Sequence, residues 1–283
     1  GEIPEHWIIV AFKRLGEFQA GAGFPDGEQG HMDEEIPFYK VSDTNLPGNE
    51  VWMKDHNNSI SRDVARKLRA YIFPESTIIF AKVGAALLLN KRRILTQPSC
   101  IDNNMMGFMP KACEQKWVFY WLCGLDFGEL ANPGAVPSIN EGQVREIPVP
   151  FPPADEQRAI AAFLDRETAR IDALIEKKRR QIELLREKRS ALISHTVTKG
   201  LDPNAKIKDS GIEWLGSIPS AWTVARLRFL VKANPSKSEI RGLSQNTTVS
   251  FVPMEAVGEY GRLRLEQSRA LEDVLNGYTY FRD

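Results

Sequence analysis

Little in this sequence supports metal or disulfide chemistry. Among its 283 residues there are three cysteines (Cys100, Cys113, Cys123) and four histidines (His6, His31, His56, His195). The cysteine number is odd and no pair is closely spaced. That leaves out a disulfide framework and a zinc site, and a reducing cytoplasm is the expected compartment. The histidines are scattered, so no metal and no cofactor is expected. Long apolar runs are also missing. The longest candidate, residues 85–89, stops at Asn90-Lys91-Arg92-Arg93, far short of the roughly 20 residues a membrane span requires. No signal peptide is visible. An excess of either charge is lacking too: 37 basic residues balance 37 acidic ones. Zero net charge argues against a polycation that coats nucleic acid, but it leaves room for a local basic face.

Signatures of catalysis are equally sparse. Gly21-Ala22-Gly23 lacks the later glycine and the strand–turn–helix context of a dinucleotide loop. No glycine-rich loop ends in Gly-Lys-Ser/Thr, and no acidic pair is followed by Glu-x-Lys. These absences favour a binding protein over an enzyme.

What the chain does have is one segment twice. Gly1-Glu2-Ile3-Pro4-Glu5-His6-Trp7 returns as Gly216-Ser217-Ile218-Pro219-Ser220-Ala221-Trp222, and each copy runs into a short apolar and basic stretch. A repeat at so long a period signals a duplicated domain rather than a solenoid. The first module, residues 1–153, reads as mixed α and β. Strands are expected over 36–41 and 77–83, which are β-branched and aromatic. Helices are expected over 61–71, with Ser61 as N-cap and Val64, Leu68 and Tyr71 on one face, and over 116–125.

After Pro152-Pro153 the sequence runs without glycine or proline to Lys199, and Gly200 and Pro203 follow. This predicts one helix over 154–199 with Asp155 as N-cap and Gly200 at its C-terminal end. About 44 residues make a rod of roughly 65 Å. Its apolar residues recur every 11 positions: Ile160, Ile171, Ile182, Ile193; Phe163, Leu174, Leu185; Leu164, Ile175. Eleven residues are nearly three whole turns, so these side chains form an almost straight stripe, as in a coiled-coil seam. Residues 200–215 form a linker. Residues 216–283 are the start of a second module, in which 278–283 answer to 71–75 of the first. The expected fold class is therefore α+β: a globular mixed α/β domain, a long coiled-coil helix and a truncated second domain, the chain being a fragment.

The junction is recognisable as a whole. Pro137-Ser138-Ile139-Asn140, then Ile147-Pro148-Val149-Pro150-Phe151-Pro152-Pro153, then Glu156-Gln157-Arg158-Ala159-Ile160 lead straight into the long helix, and residues 211–222 read GIEWLGSIPSAW. This pattern resembles the specificity subunit of type I restriction–modification enzymes. The resemblance implies two target-recognition domains, each reading half of a split double-stranded DNA sequence. It implies long helices that pack antiparallel as a spacer and bind the modification (methyltransferase) subunits, and through them the restriction subunit. It places the methyl-donor and nuclease chemistry on those other subunits. The chain departs from the family pattern by ending early.

Reading bases takes donors and acceptors in a groove and cations on phosphates. Three groups in the first module qualify. Lys40, Ser42 and Asp43 follow a strand. Lys91, Arg92 and Arg93 are the densest basic cluster outside the rod. Asn103 and Asn104 sit beside Asp102, and asparagine can pair bidentately with adenine. Lys82 belongs with them, although a lysine inside an apolar strand can merely snorkel. Singly, each has a plainer reading as a turn or a solvated face; as a set they are the candidate DNA contacts. Residues 177–180 of the rod are a further basic run whose default is solvated surface. The stripe needs a partner, and self-association is expected, through an antiparallel pair centred near Lys178 with Glu167 of one chain opposite Arg189 of the other. Two other classes stay open on the residues alone. One is a coiled-coil adaptor that never meets DNA, which a shallow salt dependence of binding would mark. The other is an enzyme with an unrecognised site.

Overall fold

The computed structural model describes residues 2–132, 134–231, 236–240, 242–258 and 261–279. The expected counterpart of 71–75 therefore lies in part, at 280–283, outside the described residues. Two compact units are present, residues 1–180 and 181–283.

The first unit contains β1 (Ile8–Ala11), β2 (Gly16–Ala20), β3 (Ile36–Tyr39), β4 (Trp52–Met53), β5 (Ser59–Ile60), α1 (Arg62–Lys67), β6 (Ile78–Ala81), α2 (Ala85–Leu88), β7 (Arg92–Leu95), β8 (Cys100–Ile101), β9 (Met105–Pro110), α3 (Gln115–Cys123), α4 (Phe127–Leu130), α5 (Glu141–Arg145) and β10 (Pro148–Phe151). Five strands make a mixed sheet in the order β2-β9-β6-β7-β4. A small sheet runs β5-β3-β8, and β1 pairs with β10.

Both faces of the large sheet are covered, which is why its central strands are apolar without alternation. On β6, Ile78 and Phe80 enter one cluster with Phe12, Phe108, Trp117, Leu122 and Val149. The residue between them, Ile79, enters the other with Tyr39, Phe73, Leu95 and Met105. A third cluster of Ile36, Phe38, Ile60, Ala65 and Cys100 closes the small sheet against α1. Gly107 on β9 is required by packing: a Cβ there would lie 2.4 Å from the Phe73 ring.

Ser61 caps α1 as expected, accepting from the Val64 amide. The helix is shorter than its pattern suggested and ends before Arg69, whose φ of 52° breaks it. The second helix lies at Gln115–Cys123, capped by Glu114. The basic run at 91–93 was read as surface, yet Arg92 and Arg93 begin β7.

Helix α6 (Ala154–Lys199) is unbroken over 46 residues. It starts one residue before the expected cap, so Asp155 and Glu156 lie in its first turn, where acidic side chains suit the helix dipole. Gly200 follows with φ 79°, as a terminating glycine should. Its entry explains the junction signature. Glu156 accepts from Trp7 Nε1 at 2.9 Å and pairs with His6 Nε2 at 2.6 Å. Gln157 is 2% exposed. It donates to the Pro152 carbonyl at 2.8 Å and accepts from the Glu114 amide at 2.8 Å. About two turns on, Asp165 accepts from Lys116 Nζ and from the Tyr120 hydroxyl at 2.8 Å.

The second unit holds β11 (Ile207–Asp209) paired with β12 (Ser217–Pro219), β13 (Thr248–Ser250) paired with β14 (Ser268–Ala270), and α7 (Leu271–Val274). In it the repeated segment again meets α6: Lys199 Nζ donates to the Ser217 carbonyl, and a Cβ on Gly200 would touch the Trp222 ring at 3.5 Å. No helix among the described residues is long and apolar enough to cross a membrane.

The two carboxylates at the helix entry set a pH dependence. Burial pulls Asp165 upward, but the Lys116 and Tyr120 hydrogen bonds outweigh it and hold the group below its usual value. Glu156 is held low by Trp7 and His6. A lowered folded pKa stabilises above the unfolded value and is lost as pH falls through the folded one. Asp165→Asn is therefore expected to cost about 0.5–1 kcal/mol at pH 7, the range of a partly exposed pair. In urea titrations the difference from wild type should vanish as the pH falls below the usual aspartate range and through the lowered folded value. A difference that persists unchanged in acid would contradict this.

Candidate nucleic-acid interface

Strand directions decide where the candidate residues lie. Strand β6 is antiparallel to both its neighbours, with Phe80 opposite Arg92 and Ala81 opposite Met105. The end of β6 at Lys82, the start of β7 beyond Lys91 and the start of β9 beyond Asn104 therefore share one end of the sheet. Strand β2 arrives at the same end, because Ala20 pairs with Met106. The small sheet adds the end of β3, since Tyr39 and Ile101 run in parallel.

Hydrogen bonds tie these segments together. The Lys82 amide donates to the Asn104 carbonyl at 2.8 Å. Asp102 is the junction. Its carboxylate accepts from the Val41 amide at 3.1 Å and the Asn104 amide at 2.7 Å. Its own amide donates to the Tyr39 carbonyl at 3.0 Å. Burial raises the Asp102 pKa, against the pull of those two amides and of Lys40. Gly21 closes over the same point: a Cβ there would sit 2.0 Å from the Asp102 carbonyl oxygen, so no other residue fits. On the far side, Arg93 donates to the Thr44 carbonyl at 3.0 Å and Lys91 donates to Asn45 Oδ1.

The three groups named from sequence thus lie together at one end of the large sheet. Ser42, Asn103 and Asn104 are exposed, and Lys40, Lys82, Lys91 and Arg93 are half-buried. Lys40 Nζ reaches Gln29 Oε1 at 2.8 Å. Residues 137–139 also border the site, since the Ile139 amide donates to the Lys82 carbonyl at 2.9 Å and the Gly84 amide to the Pro137 carbonyl at 2.8 Å. This second role of the Pro137-Ser138-Ile139-Asn140 segment was missed from sequence. So was Asp102, whose signal was an acid placed between an apolar strand and two asparagines.

Two of the named residues cannot serve as contacts. Asp43 is 0% exposed. Its oxygens accept from the Lys40 amide and from Asn57 Nδ2, both at 2.8 Å. Arg92 is 2% exposed. Its guanidinium lies 3.8 Å from the centre of the Phe127 ring and donates to the Leu125 carbonyl and Asn90 Oδ1. Burial brings its pKa down to about 10. The reason is local: Arg92 is the first residue of β7, and its side chain turns inward over α4 instead of joining a surface run. Among the described residues no cluster of three or more His, Cys, Asp or Glu side chains could hold a metal ion.

Along α6 the named stripe divides. Ile160 packs against the large core and Leu164 is half-buried. Phe163 is exposed, as are Leu174, Ile175, Leu185 and Ile193, with Ile171 54% and Ile182 51% exposed. Ile160 and Leu164 thus find their partner in the domain itself, whereas Phe163 and the stretch from Ile171 onward stay exposed among the described residues.

Arg92 and Arg93 should therefore separate experimentally. Arg92→Met is expected to lower the unfolding free energy by roughly 2 kcal/mol through loss of the ring contact and two hydrogen bonds. It should leave the salt dependence of duplex binding unchanged. Denaturation and salt titration on the same variant check this. A flattened salt slope in a stably folded Arg92→Met would place Arg92 on phosphate after all.

The chain is similar to known proteins. The model of the family described as type I restriction modification DNA specificity domain matches residues 4–184. The type I restriction enzyme MjaIX specificity subunit of Methanocaldococcus jannaschii is 23% identical over 266 residues, covering 89% of this chain and 58% of that protein. The MjaVIII specificity subunit of the same organism is 29% identical over 144 residues, covering 50% of this chain and 32% of that protein. The chain thus spans less than two thirds of the length of these relatives. A chain in a solved structure of the type I R-M system, described as showing complex assembly and conformational transition, shares the fold with a TM-score of 0.57 at 17% identity, over 69% of this chain and 46% of that one. With well over half of its residues matched by the family model, the chain belongs to the type I restriction modification DNA specificity domain family.

Proposed function

We propose that the chain is a sequence-reading component of a type I restriction–modification complex. In this reading residues 1–153 are a target-recognition domain that reads one half of a split double-stranded site. Residues 154–199 are the spacer helix, 200–215 a linker, and 216–283 the beginning of a second recognition domain. The observation that carries it is the gathering of Lys40, Ser42, Lys82, Lys91, Asn103 and Asn104, from four separated parts of the sequence, at one end of the large sheet. Such a set combines cations for phosphates with amides and a hydroxyl for base edges. Its placement on loops held by a rigid scaffold suits recognition.

Methylation and cleavage are assigned to partner subunits, the modification subunits and through them the restriction subunit, and this chain carries neither step. Selection from random duplexes, with the full chain alone and with modification subunits added, tests the reading. A consensus in one half of a two-part site, bound with a steep salt dependence, is the expected result. Binding without sequence preference would overturn it.

The exposed part of α6 supports a second element of the proposal. An apolar row of Ile171, Leu174, Ile175, Ile182, Leu185 and Ile193 is too large to leave in water on a soluble monomer. In this reading an antiparallel helix covers it, supplied in the chain as it stands by a second copy. Sedimentation should show wild type self-associating at micromolar concentration and Ile171→Asp with Ile182→Asp monomeric. A monomeric wild type would remove the pairing.

A further inference from the structure

We infer that Asn45, oriented by Lys91, reads a guanine edge in the major groove. The inference rests on the DNA-reading function proposed above and names a residue and a base within it.

The turn Val41–Asn45 is fixed from below along its whole length. The buried Asp43 carboxylate holds the Lys40 amide and Asn57. Asn49, also buried, donates to the Asp43 carbonyl at 2.9 Å. The Thr44 hydroxyl donates to the Val41 carbonyl at 2.7 Å, and Arg93 donates to the Thr44 carbonyl at 3.0 Å. Asp102 takes the Val41 amide. A surface turn of five residues is thereby given a buried polar foundation, and only Ser42 and Asn45 stand out into solvent. Fixing two side chains in this way lowers the ordering cost of a contact they make.

The chemistry of Asn45 is fixed as well. A lysine ammonium only donates, so the atom of Asn45 that faces Lys91 is the carbonyl oxygen. The atoms left to face outward are the two amide hydrogens, beside the remaining hydrogens and the positive charge of Lys91. The pair offers mainly donors; the one acceptor position left, the second lone pair of Asn45 Oδ1, lies beside the Lys91 charge. Of the four bases, guanine alone presents two acceptors, N7 and O6, side by side in the major groove; adenine and cytosine carry an amino donor there, and thymine has one acceptor and a methyl group. Asn103 and Asn104 differ: among the described residues their side-chain amides have no hydrogen-bond partner, so they turn to suit an acceptor or a donor.

The experiment starts from the consensus selected by the wild-type full chain. Asn45→Ala and Lys91→Met are each expected to lower the preference for guanine at one and the same position by about tenfold or more. Preferences elsewhere in the site should stay in place. Replacing that guanine by 7-deazaguanine, which lacks N7, should weaken wild-type binding and leave Asn45→Ala unaffected. Asn45 is exposed, so its loss leaves no buried group unpaired, and Lys91→Met reports on the same unit independently. An unchanged consensus in both variants overturns the inference while leaving the DNA-reading function standing, and so does a change at a position that is not guanine. A wild type that selects no consensus overturns the function and the inference together.

Discussion

Loops from four separated parts of the chain converge on one end of the five-stranded sheet, and the constraint that organises them is the buried carboxylate of Asp102. A carboxylate taken out of water has to be hydrogen-bonded. The donors available are the amides of Val41 and Asn104, which belong to different loops. Satisfying the charge therefore fixes those loops to one another. Gly21 completes the junction, because its missing side chain lets the end of β2 lie against the Asp102 backbone. From this knot the rest follows: Lys82 is held beside Asn104, the Val41–Asn45 turn is set at one angle, and Arg93 secures its far side. The surface that results is cationic and amide-rich although the chain as a whole carries no net charge.

The long helix obeys a different economy. Its first turns are specified by polar contacts of high sequence separation, Glu156 with His6 and Trp7, Gln157 with Glu114, Asp165 with Lys116 and Tyr120, and by the local bond of Gln157 to Pro152. These bonds give the Glu156-Gln157 pair and the repeated Trp7 a structural reason to occur together. Once past the domain, helicity has to come from propensity, charge pairs along the helix such as Arg179 with Glu176, and whatever covers the apolar row. A single helix is thus a domain element over its first turns and an exposed rod with an apolar row beyond them.

Much of this was legible in the residues. The bounds of α6 to within a residue, the Ser61 cap and the terminating Gly200 rest on local rules of capping, periodicity and chirality. The α+β class followed from the strand and helix patterns, and the family from the junction motif. The candidate site was legible as a list but not as a place. Its assembly depends on the order β2-β9-β6-β7-β4, which pairs strands far apart in sequence, and no local pattern encodes that order. Arg92 and Asp43 show the same limit from the other side. A charged residue reads as exposed until tertiary structure supplies a ring face or a set of donors that makes burial tolerable. Asn45 carried no signal of its own; only its pairing with Lys91 gives it direction.

Hydrogen exchange on the full chain, with and without its selected duplex, tests the central claim most directly. The account predicts slowed exchange at 40–45, 82–84 and 102–104 when DNA is bound, and no change at 111–116, which follow β9 at the opposite end of the sheet. Protection confined to 111–116 or to α1, with the Asp102 junction untouched, would contradict it.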